Sequence, residues 1–433
     1  MNKKVIAGLL AFTFMFGGMS ALTAVAESFE IEDNSVCAEY TESADNEVCA
    51  ANSENDFSWK DIDVSHIMLT GYNGTAKDVV IPSKVKNKTV SEIGMEAFKE
   101  KNVTSITVPD TVETIGFQAF YNCRKLKTLQ LPKKVKALNN RMCQNCIALE
   151  SVNIPSGIEE LPTNLFSGCT SLTEITIPSS VKTIGSSDFF DCTALTKVKF
   201  SKGLSTINSS AFENCTSLTA VSLPEGLTII SNGAFAGCTS LSKVVFPSTL
   251  KFILGSNSSN GAFENCTSLK SVSLPDSLSE IRQRTFQNCT SLKKVTINGE
   301  GLKGIGSNSF ANCPALKEIT LPNSLINIDY DCGIFHNGEK LKRNFLLHCY
   351  RNSVAEEYAL SCGVTNIDYL SNVKGDLNGD YKIDISDVSK LAAHIKGVKK
   401  LGSGVNADLN GDGAVTVTDL SLLSAHVKGI KKL

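Results

Sequence analysis

The chain has 433 residues, and its 42 Lys and Arg against 44 Asp and Glu leave a formal net charge of −2 at pH 7. Nucleic-acid binders and proteins recruited to anionic lipid carry an excess of basic residues, so this balance argues against both kinds of partner. The length exceeds what one compact core usually supports, so several domains or a repeat array are expected.

The N-terminus has the pattern of a secretory signal peptide. Basic residues 3–4 precede an apolar run over residues 5–18, and small residues close the segment at 24–26. This order predicts cleavage after Ala26 and an extracellular protein. The apolar run is shorter than the roughly 20 residues that cross a bilayer, so no membrane span is expected after cleavage.

Residues 27–55 form an acidic segment rich in Ser, Ala and Asn, for which we expect a flexible conformation. Cys37 and Cys49 lie within it. In an extracellular protein the two could be bridged or free, and the sequence leaves both states open.

From residue 56 to residue 370 the chain repeats itself with a period close to 23. A cysteine column holds Cys123, Cys146, Cys169, Cys192, Cys215, Cys238, Cys266, Cys289 and Cys313. A phenylalanine stands three residues before most of these cysteines, and a leucine stands three residues after each of them. A fixed period of this size predicts a solenoid, in which each repeat buries its apolar face against its neighbours.

Each repeat also contains one predicted strand. Apolar residues alternate after the leucine, as at Leu172, Ile175 and Ile177, and Pro178 follows. Alternation rich in Val and Ile predicts a short strand with one buried face, and proline ends it because it has no N–H to donate. The rest of each unit is expected to return as a short helix or an irregular turn. We therefore expect an α/β-type solenoid of stacked, short parallel strands.

The repeat pattern I-x-x-x-A-F-x-x-C-x-S-L-x-x-V-x-I-P-x-x-V resembles the BspA-like leucine-rich repeats of bacterial surface proteins. The resemblance covers residues 57–370. It implies an opening cap over Asp56–Ile93, a closing cap over Leu346–Tyr369, and an extended surface for a ligand.

Two further patterns in the repeats are interpreted as structural. Free cysteine behaves as a small buried hydrophobe, and stacked side chains rarely reach disulfide geometry. Cys143 and Cys146 have the C-x-x-C spacing of a redox motif, but Cys143 takes the place of the phenylalanine. Asn-Cys-Thr triplets at Asn214, Asn265 and Asn288 match the glycosylation acceptor. Gly and Asp replace the asparagine in other repeats, which indicates a left-handed turn.

Residues 376–433 follow a short linker at 371–375 and do not continue the 23-residue repeat. Two twelve-residue segments place oxygen-bearing side chains at positions 1, 3, 5, 9 and 12. Calcium takes roughly six to eight oxygen ligands, one of them the carbonyl of position 7. The predicted ligands are Asp376, Asn378, Asp380, Lys382, Asp384 and Asp387 in the first loop and Asp408, Asn410, Asp412, Ala414, Thr416 and Asp419 in the second. The duplicated spacing predicts two bound calcium ions.

Each loop leads into an amphipathic helix, and the duplicated unit resembles a dockerin of ruminococcal type, the module that binds cohesin domains of scaffoldin proteins. The resemblance implies cohesin contacts from loop positions 10 and 11 and from the helix that follows. These positions are Ile385, Ser386, Ala392, Ala393 and Lys396 in the first copy and Val417, Thr418, Ser424, Ala425 and Lys428 in the second. The near identity of the copies suggests that either helix can dominate the interface after a half-turn rotation.

The first loop departs from the pattern at position 6. Tyr381 stands there, whereas the second loop has Gly413. A bulky residue is strained at the positive φ of this sharp turn, so we expect the first calcium site to be the weaker one.

The sequence contains no recognisable catalytic motif. The five histidines have no zinc-like spacing, and no G-x-S-x-G elbow, P-loop or dinucleotide fingerprint is present. The repeats and the dockerin leave no segment of about 100 residues for an enzyme domain.

The sequence therefore predicts a secreted, non-catalytic component of a cellulosome-like complex, associated with the cell surface through a scaffoldin, whose repeats bind a protein or glycan. A cell-surface adhesin, a rigid spacer and a regulator of enzymes in the same complex are the alternatives.

Overall fold

The computed structural model describes residues 52–433 apart from 257, 298, 338–339, 342–343, 372, 381 and 402–405. The predicted signal peptide, Cys37, Cys49 and Tyr381 lie outside the described residues.

The described chain opens with a small mixed sheet. Its elements are a 3-10 helix at Glu54–Asp56 and the strands β1 Phe57–Asp61, β2 His66–Tyr72, β3 Asp78–Val80, β4 Lys84–Val85 and β5 Lys88–Ile93. β1 and β4 run antiparallel to β2 and β5 respectively, and β2 runs parallel to β5. Tyr72 is buried and stacks on Phe98 of the first repeat, so this sheet covers the N-terminal end of the array.

Two columns of parallel strands run through the repeats. The first column contains β3 and the strands expected from the alternating pattern, which are β6 Ser105–Thr107, β8 Thr128–Gln130, β9 Ser151–Val152, β10 Glu174–Ile177, β12 Lys197–Phe200, β14 Ala220–Ser222, β16 Lys243–Val245, β18 Ser271–Leu274, β20 Lys294–Ile297 and β22 Glu318–Thr320. The second column contains strands of two residues, which are β7 Thr114–Ile115, β11 Thr183–Ile184, β13 Thr206–Ile207, β15 Ile229–Ile230, β17 Phe252–Ile253, β19 Glu280–Ile281, β21 Gly304–Ile305 and β23 Asn327–Ile328. The expected solenoid of stacked parallel strands is confirmed, and the second column is an addition to it.

The rest of each repeat returns through turns. The described residues between β5 and the closing cap contain no helix. Asn214, Asn265 and Asn288 have φ of 61°, 62° and 61°, and Gly168 and Gly237 take the same role with φ of 75° and 70°. The asparagine column therefore supplies left-handed turn residues, as its alternation with glycine indicated.

Phenylalanine and cysteine form two buried ladders under these turns. The rings of Phe189, Phe212 and Phe235 are fully buried, nearly parallel, and separated by 5.0 and 5.2 Å between centroids. Each column cysteine donates its thiol to a carbonyl of the preceding turn, as Cys215 Sγ does to the oxygen of Phe189 at 3.2 Å. Burial raises the pKa of the Cys238 thiol to about 12, which keeps it protonated as a donor. The column cysteines from Cys123 to Cys289 are free thiols.

The closing cap contains the strands β24 His336–Asn337, β25 Lys340–Leu341, β26 Leu346–Tyr350 and β27 Ile367–Leu370 and the helix α1 Val354–Ser361. β26 pairs with β22 and β27 with β26, both in parallel, so the first strand column continues to Leu370. Two further helices follow, α2 Ile385–Ile395 and α3 Val417–Val427. They have a small core of their own, separate from the long core of the array.

Candidate functional site

The loop before α2 is closed by hydrogen bonds to Asp387. One oxygen of this buried carboxylate accepts from the backbone N–H of Leu377 at 2.7 Å and of Asn378 at 3.1 Å. The other oxygen accepts from the N–H of Asp384 at 2.9 Å, which forms a capping box at the start of the helix. Asp376, at position 1, accepts from the N–H of Gly379 at 2.8 Å. The Asp387 carboxylate thereby joins positions 2, 3 and 9 of the loop to position 12.

The loop before α3 repeats this geometry 32 residues later. Asp419 accepts from the N–H groups of Leu409 at 2.7 Å, Asn410 at 3.2 Å and Thr416 at 2.9 Å. Asp408 accepts from the N–H of Gly411 at 2.7 Å. The predicted duplication therefore exists in three dimensions, with the same three backbone bonds to Asp387 and to Asp419.

The two position-12 carboxylates differ in electrostatics. Burial raises the pKa of Asp387, and the three N–H donors only oppose that rise. Burial also acts to raise the pKa of Asp419, but the donors of Thr416, Leu409 and Asn410 outweigh it, and the pKa is lowered. The first loop is therefore in drier surroundings than the second.

The donor set of both loops fits a hard cation. Each loop contributes carboxylate, amide and carbonyl oxygens and no sulfur or imidazole. Such oxygen donors suit calcium better than they suit softer metal ions. Within the described residues no group of three or more Asp, Glu, His or Cys side chains is arranged as metal ligands. The carboxylates bind backbone N–H groups instead, and these bonds hold the loops in shape.

The predicted cohesin-contact positions lie on an open face of each helix. Ile385 is 68% exposed and Val417 63% exposed, which is unusual for β-branched apolar residues. The accompanying Ser386 and Thr418 are exposed, as are Lys396 and Lys428, which cap the C-termini of the helices. The remaining positions are partly buried, namely Ala392, Ala393, Ser424 and Ala425.

Two exposed apolar residues near the C-termini of these helices were missed from the sequence. Val398 is 78% exposed and Ile430 is 75% exposed, at equivalent places just beyond α2 and α3. Their signal was the repeated K-G-V and K-G-I at the end of each copy. Each copy then folds back, because His394 accepts from the N–H of Leu401 and His426 from the N–H of Leu433, both at 3.1 Å.

Overlapping matches over residues 91–374 identify the array with the family described as BspA type Leucine rich repeat region, in six copies. The chain belongs to this family. Residues 374–428 match the Dockerin type I domain, so the protein is a BspA-type leucine-rich repeat protein with a C-terminal dockerin, as the sequence predicted. Such a dockerin indicates assembly into a cellulosome-type complex through cohesin binding, and dockerins of this type generally bind calcium. The repeats indicate a role in protein interaction.

Solved structures similar to this chain include other bacterial leucine-rich repeat proteins. One from Bacteroides ovatus is 24% identical, with 73% of this chain and 98% of the other covered and a TM-score of 0.46. A leucine rich cell surface protein from Faecalibacterium prausnitzii is 23% identical, with 76% and 97% covered and a TM-score of 0.45. The T. pallidum leucine-rich repeat protein TpLRR is 26% identical, with 51% and 90% covered and a TM-score of 0.39. A search of the curated proteins found no match.

No helix in the described part of the chain combines the length and the apolar character that a membrane span requires.

Proposed function

We propose that the protein is a secreted, non-catalytic component of a cellulosome-like extracellular complex. Its dockerin binds a scaffoldin cohesin in the presence of two calcium ions, and its repeat array binds a protein or glycan ligand. The protein is thus associated with the cell surface through the scaffoldin.

The observation that carries this proposal is the duplication of a calcium-type loop and an open helix face. A single Asp- and Asn-rich turn is common on protein surfaces, whereas two loops with matching bonds to Asp387 and Asp419 are not. Ile385 and Val417 are exposed at equivalent positions of the two copies, which supports a duplicated binding surface.

The twelve loop residues predicted as ligands would hold calcium through side-chain oxygens and, at Lys382 and Ala414, through the backbone carbonyl. The bound ion would neutralise the carboxylates of each loop. The chain's own part is to fix the loop through backbone bonds and to present the helix face to the cohesin.

The proposed domain boundaries follow the sequence, with a signal peptide at 1–26, an acidic segment at 27–55, the array with its caps at 56–370, a linker at 371–375 and the dockerin at 376–433. The repeats, the caps and the dockerin account for the described residues, which supports a role without catalysis.

For the repeat array, one surface feature favours a glycan or peptide ligand over a passive spacer. Tyr330 is 76% exposed at the rim of a cavity of about 420 Å³. The same cavity is lined by Gln287, Asn308, Asn312 and other polar residues. An exposed aromatic ring among amide groups offers both stacking and hydrogen bonds to a polar ligand.

The test is binding of the purified chain to a panel of cohesins with calcium and with chelator. Tight binding that the chelator abolishes is expected. Changing both Ile385→Asp and Val417→Asp should abolish cohesin binding, because a charge would be buried in each interface. The matched control is Leu360→Asp in α1, which places the same charge on an apolar residue 57% exposed outside the dockerin.

The single variants Ile385→Asp and Val417→Asp test whether either dockerin copy alone can bind the cohesin. If both copies are equivalent, each single change leaves most of the cohesin affinity intact. Loss of binding in one single variant alone would assign the interface to that copy. No binding to any cohesin would contradict the scaffold role and favour adhesion by the array.

A further inference from the structure

The array ends on an edge strand. Among the described residues, β27 is the last strand of the sheet β18-β20-β22-β26-β27 and pairs on one side only, with β26. An unpaired edge is a template for unwanted pairing, so native solenoids cover it or close it. In this chain the first loop of the dockerin packs against the end of β27.

The backbone of this loop lies directly against the end of β27. A Cβ added to Gly379 would lie 2.7 Å from Tyr369 Cβ and 2.8 Å from the carbonyl oxygen of Leu370, which leaves no room for a side chain. Asp376, in the same loop, is fully buried. The first loop is therefore packed on the closing cap.

An ion pair joins the same two parts of the chain. Lys390 Nζ of α2 lies 2.7 Å from one oxygen of Asp368 in β27, and His348 Nδ1 of β26 lies 3.0 Å from the other oxygen. The side chains of Asp368 and Lys390 are 8% and 17% exposed. A carboxylate this buried is costly unless it is paired, and the dockerin supplies the paired cation.

The second copy lacks both contacts. Gly411 is the counterpart of Gly379 and has nearly the same φ, 75° against 72°, yet an added Cβ there would meet nothing within 4 Å. Leu422 occupies the place of Lys390. The duplicated dockerin thus carries an asymmetric adaptation, in the copy that lies next to the array.

The connection between the two parts is short and partly buried. Ser371 is 2% exposed, and its hydroxyl accepts from the N–H of Val373 at 3.0 Å. The array and both dockerin copies belong to one compact unit, Ala50–Leu433.

We propose that the closing cap is an intramolecular docking surface for the first dockerin copy, so that calcium binding at the first loop is coupled to the order of β27, while the second copy lacks the two equivalent contacts. The coupling rests on the proposed calcium function. Calcium that orders the first loop presents a fixed surface to β27, and a docked β27 in turn favours the ordered loop. Because Ile385 and Ser386 remain exposed, docking leaves the cohesin face of the first copy open.

Hydrogen exchange of the full chain, followed by mass spectrometry with calcium and with chelator, tests the coupling. Coupling free energies between sites typically correspond to about 5- to 150-fold, so we expect calcium to slow exchange of the β27 amides by about tenfold or more. Gly379→Ala and Lys390→Met should each remove most of that slowing. Gly411→Ala is the matched control, because it imposes the same strain at positive φ without a cap contact, and it should leave β27 unchanged.

Calorimetric calcium titration and cohesin binding of the same samples separate the outcomes. Calcium-dependent protection confined to residues 374–433, with calcium and cohesin binding intact, would overturn the coupling and leave the proposed function standing. Equal effects of Gly379→Ala and Gly411→Ala on β27, together with no effect of Lys390→Met, would also overturn it. A chain that binds no calcium would overturn both the coupling and the calcium part of the proposed function.

Discussion

Replacing Phe212 by alanine tests whether the phenylalanine ladder holds the array together. The ring is fully buried between Phe189 and Phe235, and it also meets the edge of Phe200 at 5.9 Å. A buried Phe→Ala change costs about 3–5 kcal/mol through lost transfer energy and the cavity that remains. Each stacked neighbour adds about 0.5–1.5 kcal/mol, so we expect a loss at the upper end of that range.

The matched control is Phe252→Ala in β17. Phe252 is 39% exposed, so its removal forfeits only part of a burial term of about 1.5–3 kcal/mol. Urea unfolding of both variants at saturating calcium, followed by circular dichroism, gives the two losses in the free energy of unfolding. We expect Phe212→Ala to lose about 3 kcal/mol more than Phe252→Ala. Losses within about 1 kcal/mol of each other would show that the ladder is not a principal source of stability.

Three further predictions concern charge, thiols and calcium. Burial acts to raise the pKa of Asp368, but the hydrogen bonds from His348 and Lys390 outweigh burial and lower the pKa. The contribution of Asp368 to the free energy of unfolding should therefore be present above the unfolded-state pKa of about 3.9 and be lost as the pH falls through the lower folded-state pKa. Urea unfolding between pH 7 and pH 3 should show this loss in the native sequence and not in Asp368→Asn. The buried cysteine column should not react with a thiol reagent in the native protein and should react fully in urea, and reaction of the native column would contradict a desolvated ladder. Calorimetry should find two calcium ions per chain and one in the variant Asp419→Ala, and unchanged stoichiometry would remove that loop from the proposed calcium sites.

The main features of the fold could be predicted because the residues that form them recur at a fixed spacing in the sequence. Cysteine, phenylalanine and asparagine recur at fixed offsets, and their roles follow from residue chemistry alone. Asn214, for example, alternates with glycine in other repeats and lies at φ of 61°. The second strand column could not be predicted, because strands such as Ile229–Ile230 have two residues and show no alternation within themselves.

The two loop-helix units could be predicted for a similar reason, and the contact with the closing cap could not. Spacing predicts which side chains a calcium loop offers, and the structure places Asp387 and Asp419, at position 12, in the first turn of α2 and α3. From the sequence, Lys390 is expected to be an ordinary solvent-exposed helix residue. Its partner Asp368 belongs to a different domain, so sequence spacing does not indicate the ion pair. The sequence hints at the contact only when the two copies are aligned, because Leu422 stands at the position that corresponds to Lys390.

The two ends of the array are closed by different structures, and only the C-terminal one involves the dockerin. At the N-terminal end the antiparallel strands β1 and β2 cover the first repeat with local chain. At the C-terminal end α1 and β27 extend the array by one further turn, but β27 still presents an edge. A loop without a side chain at Gly379 can approach that edge closely, and the Lys390 pair fixes its position. The dockerin would then also complete the cap, so that the order of β27 would depend on the calcium state of the first loop.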